Sequence, residues 1–258
     1  MNTMLLVNPL RILCFGDSLT WGFSHGGYTQ HPYAITLKTT LESKLPDPVI
    51  TEQKGQNGDL AVSPPGGFWP RMDIIYEETE IPFDWAVILG GTNDLTWHHE
   101  GEEIYEALQK VWEIPLSNGT KVLALTVPEC GVQPLCSPEL AARRDLLNQY
   151  IRSHSEENFY VLDLHAAIPW TSMPEDRREE IWDDGVHFTE EGYDLMGSLV
   201  AGRLLEIMQE TAADRAPVGG QVGQKPLVAE HEVAAKKDER MRLRSGRTIS
   251  KENEVQVR

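Results

Sequence analysis

Short apolar runs punctuate the chain at regular intervals, and each is followed by a stretch whose apolar residues recur every three or four positions. The runs are 11–15 (RILCF), 49–52 (VITE), 85–89 (WAVIL), 121–127 (KVLALTV) and 159–164 (FYVLDL). Runs of this length, rich in Val, Ile and Leu and apolar on both faces, predict strands buried inside a parallel sheet. The intervening periodicity predicts helices over 33–44, 70–78, 102–112 and 138–153. A last helix is expected from 190 to about 210, capped by Thr189, with Leu195, Leu199 and Leu205 as its docking residues. Ser137-Pro138-Glu139 is a helix start in which Ser caps, Pro fits the first turn and an acid meets the positive end of the dipole. Alternating strand and helix predicts an α/β architecture: five parallel strands covered by helices on both faces.

From about Ala213 the pattern fades. Large apolar residues become sparse and charges of both signs mix, so the segment has little with which to offset the entropy of ordering. The expectation is one domain over 1–212 and a disordered charged tail over 213–258, the basic cluster at 240–244 included. The chain of 258 residues has a net charge of −17, and the tail carries more Lys and Arg than Asp and Glu, so the acidity lies in the domain. An acidic body argues against nucleic acid or an anionic membrane as partner.

The amino terminus offers only Met4-Leu5-Leu6-Val7 as an apolar run, with no basic start and no small-residue cleavage site, so a signal peptide is not expected. No stretch reaches the length of a membrane span, and a cytoplasmic protein is the expectation. Three cysteines do not make a disulfide scaffold. Cys14 reads as a core residue, and Cys130 and Cys136 read as ordinary thiols, with a bridge between them the alternative.

Candidate chemistry begins in FGDSLTWGFSHG, residues 15–26, which holds two serines. Ser24 fits a G-x-S-x-G pattern but lies nine residues past the strand, without the strand–turn–helix setting that gives this pattern its meaning. Ser18 lies three residues after Phe15, at the carboxyl end of the first strand, where parallel sheets collect reactive groups. A serine needs a base, and that base an orienting group. Of the eight histidines, His187 has Asp184 three residues before it across a Gly-containing turn, a spacing that brings the two together. Asp183 is the other candidate orienter, and His165, after the fifth strand with Asp163 nearby, stays open as a base. His98-His99-Glu100 lacks the i, i+4 spacing of a zinc site. Loops after the second and third strands, KGQNGD and GGTNDL, supply candidate donors for an oxyanion: the Gly55 N–H and the Asn93 side chain.

Four stretches in this order, Gly16-Asp17-Ser18-Leu19, Gly55-Gln56-Asn57-Gly58-Asp59, Gly91-Thr92-Asn93-Asp94 and Asp184-Gly185-Val186-His187, resemble the blocks of the SGNH hydrolases, also called the GDSL lipase/esterase family. The resemblance spans residues 16 to 187. It implies a three-layer α/β/α sandwich with a flavodoxin-like sheet, Ser18 as nucleophile, His187 as base and Asp184 as its orienter. The N–H groups of Ser18 and Gly55 and the Asn93 side chain would then form the oxyanion hole. One departure is Gln53, where the family often has Asn. The opening ILCFGDSLTWG is also similar to arylesterase-type and acyltransferase-type members, over one strand and one loop.

The resulting expectation is a cofactor-free and metal-free serine esterase acting on a small-molecule ester through an acyl-enzyme. Transfer of the acyl group to an alcohol is the alternative, and a non-catalytic binding module of the same fold a more distant one. Trp21, Phe23, Trp69 and Trp97 are the expected substrate-contacting side chains, compatible with aryl, lipid or acetylated-sugar esters alike.

Overall fold

Every expected strand forms, and all five join one parallel sheet in the computed structural model, which describes residues 8–133 and 137–215. The chain runs β1 (Leu10–Gly16), α1 (Ser18–Trp21), a small antiparallel hairpin of β2 (Phe23–Ser24) and β3 (Thr29–Gln30), α2 (Ala34–Glu42), β4 (Val49–Gly55) and α3 (Phe68–Glu78). It continues with β5 (Trp85–Leu89), α4 (Thr92–Thr96), α5 (Gly101–Ser117), β6 (Lys121–Leu125), α6 (Pro138–Ser153), β7 (Phe159–Leu162), α7 (Leu164–Ala167), α8 (Glu175–Ile181) and α9 (Glu190–Arg215). The sheet order is β4-β1-β5-β6-β7, the doubly wound flavodoxin-like arrangement, in which the order reverses beside β1.

Alternation along the strands divides the core into two layers. Ile12, Cys14, Val87, Leu123 and Leu125 pack on one face with Leu37 and Leu41 of α2 and Val200, Leu204 and Ile207 of α9. Leu13, Phe15, Ala86, Ile88, Val122 and Ala124 face the other way, against Met72 of α3, Leu108 and Trp112 of α5 and Leu147 of α6. The result is the expected three-layer α/β/α sandwich.

Helix α6 begins and ends where the sequence places it, with the Ser137 hydroxyl accepting from the Leu140 N–H at 3.3 Å. Other bounds shift for identifiable reasons. Strand β4 continues past Glu52 through polar Gln53 and Lys54, because it is an edge strand paired only with β1 and need not be apolar on both faces. Strand β6 stops at Leu125, since the Val127 N–H turns to the Asn148 side chain at 2.7 Å. Strand β7 stops at Leu162, where Asp163 caps α7. Helix α9 runs to Arg215, three residues past the expected domain end. The expected tail from 216 onward lies outside the described residues. Among the described residues no helix is long and apolar enough to cross a membrane.

Candidate active site

Because all five strands run the same way, their carboxyl ends share one rim, and the loops leaving β1, β4 and β5 bring the candidate residues there. Asp17 links β1 to the single turn of α1 by accepting the Leu19 N–H at 2.9 Å, which fixes Ser18 as the first residue of that turn. His187 and Asp184 arrive from the loop between α8 and α9. That loop is closed by a bridge between Trp182 and Phe188, by the Asp183 N–H donating to the His187 carbonyl at 3.0 Å, and by the Gly131 N–H donating to the Gly185 carbonyl at 2.7 Å.

Ser18 and His187, 169 residues apart in the chain, meet with Oγ 2.9 Å from Nε2. The other ring nitrogen, Nδ1, lies 2.8 Å from Asp184 Oδ2. Asp184 Oδ1 accepts the N–H groups of His187 at 2.7 Å and Val186 at 2.9 Å. Partial burial pulls the Asp184 carboxyl upward, but the bonds from the His187 ring and from these two N–H groups outweigh it and hold the group well below the usual carboxylate range. An ionised Asp184 only accepts, so Nδ1 carries the proton and Nε2 is left to accept from the Ser18 hydroxyl. Phe23 packs against the imidazole, ring centroids 4.4 Å apart, and its carbonyl accepts the Tyr193 hydroxyl at 2.8 Å.

The competing residues are engaged elsewhere. The Ser24 hydroxyl is buried and bonds to neighbouring His25 Nδ1 at 2.8 Å. Asp183 Oδ2 accepts the His25 N–H at 2.6 Å. On α7 the His165 backbone N–H donates to the Thr126 hydroxyl, which in turn donates to Asp163, while the histidine that meets the Ser18 hydroxyl is His187. Trp21 packs beside Phe23, 6.3 Å between centroids. Trp69 and Trp97 are 42% and 61% exposed and make no ring contact with the other two among the described residues.

Asn93, on the second residue of α4, donates from Nδ2 to the Asp59 carbonyl at 2.9 Å. Asp94 is buried and accepts the N–H groups of Ala61 at 3.0 Å and Val62 at 2.8 Å, so the β5–α4 junction clamps the loop after β4. Burial raises the Asp94 carboxyl, partly offset by those N–H groups. Arg71 adds a second clamp, reaching Asp59 Oδ2 at 2.8 Å, the Gly16 carbonyl at 2.9 Å and the Lys54 carbonyl at 3.1 Å. Buried Asp17 has one carboxylate oxygen without a partner among the described residues. Burial pushes its pKa up to about 7, against the pull of the Leu19 N–H and of His187.

Gly55 requires a correction. The Gln56 N–H donates to the Gly16 carbonyl at 3.1 Å. Successive N–H groups along a strand point to opposite sides, so the Gly55 N–H faces off the sheet edge, away from β1 and Ser18. What demands glycine here is close approach: a Cβ at 55 would lie 2.2 Å from the Trp21 nitrogen and 2.7 Å from the Asp17 carbonyl oxygen. Gly58, in the same loop, is under no such packing constraint. It is exposed, a Cβ would meet nothing within 4 Å, and it directly precedes the Asp59 carbonyl that holds Asn93. The N–H groups of Gly58 and Ser18 donate to no group among the described residues. The sequence cue was the Gly58-Asp59 pair itself. Gln53 donates to the Thr20 carbonyl at 3.2 Å, a further tie between β4 and α1.

Among the described residues, no group of three or more His, Cys, Asp or Glu side chains is placed to hold a metal ion. Cys14 is buried in the core, where desolvation pushes its thiol up to about 12. Cys136, and with it the alternative of a bridge to Cys130, lies outside the described residues.

The architecture is shared with solved structures of low sequence identity. An aryl esterase from M. smegmatis is 20% identical, with 76% of this chain and 98% of that chain covered and a TM-score of 0.59. A lipase/acylhydrolase from Enterococcus faecalis is 22% identical, covering 76% and 96%, with a TM-score of 0.60. For a carbohydrate acetylesterase from Sinorhizobium meliloti the values are 20%, 76% and 99%, and 0.54. No curated protein matches. The fold is thus the one these hydrolases share. The profile of the GDSL-like lipase/acylhydrolase family matches residues 14–195, and the chain belongs to that family of carboxylic ester hydrolases.

Proposed function

We propose that the protein hydrolyses a carboxylic ester of a small molecule through an acyl-enzyme formed on Ser18. The observation that carries this reading is the continuous chain of hydrogen bonds from Ser18 Oγ to His187 Nε2 at 2.9 Å and from His187 Nδ1 to Asp184 at 2.8 Å. His187 takes the serine proton as Oγ attacks the acyl carbon and returns it to the leaving alcohol; it then takes a proton from the water that attacks the acyl-enzyme and delivers it to Ser18 Oγ as the acyl–Oγ bond breaks and the acid departs. Asp184 holds the ring in the required tautomer and stabilises the transient imidazolium. The oxyanion is met by the N–H groups of Ser18 and Gly58 and by the second hydrogen of Asn93 Nδ2, the first being held by the Asp59 carbonyl. Phe23, packed against the imidazole at a tilt of 38°, forms one wall beside the base. Aryl esters and acetylated sugars, the substrate types in the names of the structurally similar enzymes, are the first to screen.

The test is covalent and kinetic together. A fluorophosphonate probe labels only an activated nucleophile, so the protein becomes labelled at Ser18, and Ser18→Ala abolishes both labelling and hydrolysis of short p-nitrophenyl esters. Hydrolysis surviving in Ser18→Ala, or labelling at Ser24, would refute the assignment.

A further inference from the structure

Next to the triad lies a recess of about 30 Å³, room for about two water-sized groups. Its lining includes Leu19, Thr92 and Val186, the immediate chain neighbours of Ser18, Asn93 and His187, though not those three residues themselves. Leu95, Val127 and Leu140 make its walls mostly apolar. Two polar groups interrupt them. Arg144 on α6 is 9% exposed, its Nε is buried, and the side chain makes no hydrogen bond among the described residues. Its nearest carboxylate, Asp145, stands 3.9 Å away and is itself 63% exposed. Thr92 Oγ1 is likewise buried without a partner among the described residues. Burying a guanidinium N–H and a hydroxyl unpaired is costly, and here both line the same small recess.

Resting on the ester-hydrolase reading above, we infer that this recess is the acyl subsite, and that Arg144 and Thr92 select a short acyl group carrying an oxygen acceptor two or three atoms beyond the carbonyl. Arginine only donates, so the ligand atom must accept, and the volume limits the chain to two or three heavy atoms. The recess also contains Glu129, whose Oε2 accepts the N–H groups of Trp170 at 2.7 Å and Thr171 at 2.6 Å. One cation and one anion leave no net charge in the lining. The acceptor is therefore an uncharged oxygen, as in an ether, hydroxyl or ketone, rather than a carboxylate.

Two esters of one leaving group separate this preference from size: p-nitrophenyl methoxyacetate and p-nitrophenyl butanoate, in which oxygen replaces a methylene. Their intrinsic reactivities differ, but the ratio of kcat/KM between them changes on mutation only if the protein senses the oxygen. Arg144→Met lowers the methoxyacetate-to-butanoate ratio by roughly 10- to 100-fold, as expected for a hydrogen bond to a charged group, and Thr92→Val lowers it about threefold to tenfold. Thr92→Val preserves shape and decides the matter if Arg144→Met fails to fold. A ratio unchanged in the folded variants, with Ser18 still labelled by fluorophosphonate, overturns the inference and leaves the hydrolase reading standing. Absence of labelling in the unmodified protein overturns the hydrolase reading instead. A preference for the p-nitrophenyl hemisuccinate over the methoxyacetate overturns the assignment of an uncharged acceptor.

Discussion

Substituting Gly55 by alanine tests whether this residue serves the site by packing or by donating. The new Cβ would stand 2.2 Å from the Trp21 nitrogen and 2.7 Å from both the Asp17 carbonyl oxygen and the Thr20 carbonyl carbon. All three are backbone atoms, so no rotamer change relieves the clash. Reaching an ordinary contact of about 3.4 Å requires α1 and β4 to separate by about 1 Å, against the pairing of Gly16 with Gly55 and the Gln53 bond to Thr20. Such overpacking costs about 1–3 kcal/mol of stability. Because Ser18 rides on α1, part of the displacement reaches Oγ and stretches its 2.9 Å contact with His187. A misplacement of about 1 Å at reacting groups lowers kcat by about 100-fold. Thermal unfolding and p-nitrophenyl ester kinetics on the same preparation measure both effects. Alanine keeps the N–H of residue 55, so a donor role alone predicts nearly normal activity. A folded Gly55→Ala variant within threefold of the parent rate would refute the packing argument.

Two further outcomes follow from the same geometry. Replacing Asn93 with alanine removes one of the proposed oxyanion donors and lowers kcat by about 10² to 10³-fold with a smaller change in KM; equal losses in kcat and substrate affinity would point to a displaced loop instead. Asp17 has a folded pKa raised from 3.8 to about 7, so between those values the folded state binds more protons than the unfolded one. Its contribution is whole below pH 3.8 and is lost as pH rises through about 7, a swing of up to about 4 kcal/mol. Asp17→Asn, compared with the parent by urea unfolding at pH 5 and pH 8, gains stability preferentially at pH 8; an equal effect at both would contradict an ionising, buried Asp17.

What the chain reveals on its own is what local spacing encodes. Strand β5 and helix α6 could be placed to the residue because an uninterrupted apolar run, or a Ser cap followed by Pro, carries its meaning within a few positions. The short helices α1, α4 and α7 were not legible, since a single turn has no periodicity and exists only because a rigid strand delivers the chain to it. The order of Ser18, Asn93, Asp184 and His187 was readable as a resemblance. The geometry of their meeting was not, because the 2.9 Å contact between residues 18 and 187 depends on where a parallel sheet ends its strands. Gly55 shows the limit most directly. Its sequence context fits a donor and a packing glycine equally, and only the register of β4 against β1, with α1 laid across both, decides which way the N–H points. Arg144 carried no signal at all: an arginine midway along an amphipathic helix is ordinarily solvated, and only tertiary packing buries its Nε in the recess that Thr92 also lines. Spacing along a polymer sets which groups a turn or a face can share, whereas the direction of a donor and the shape of a recess are set by neighbours that lie far away in the chain.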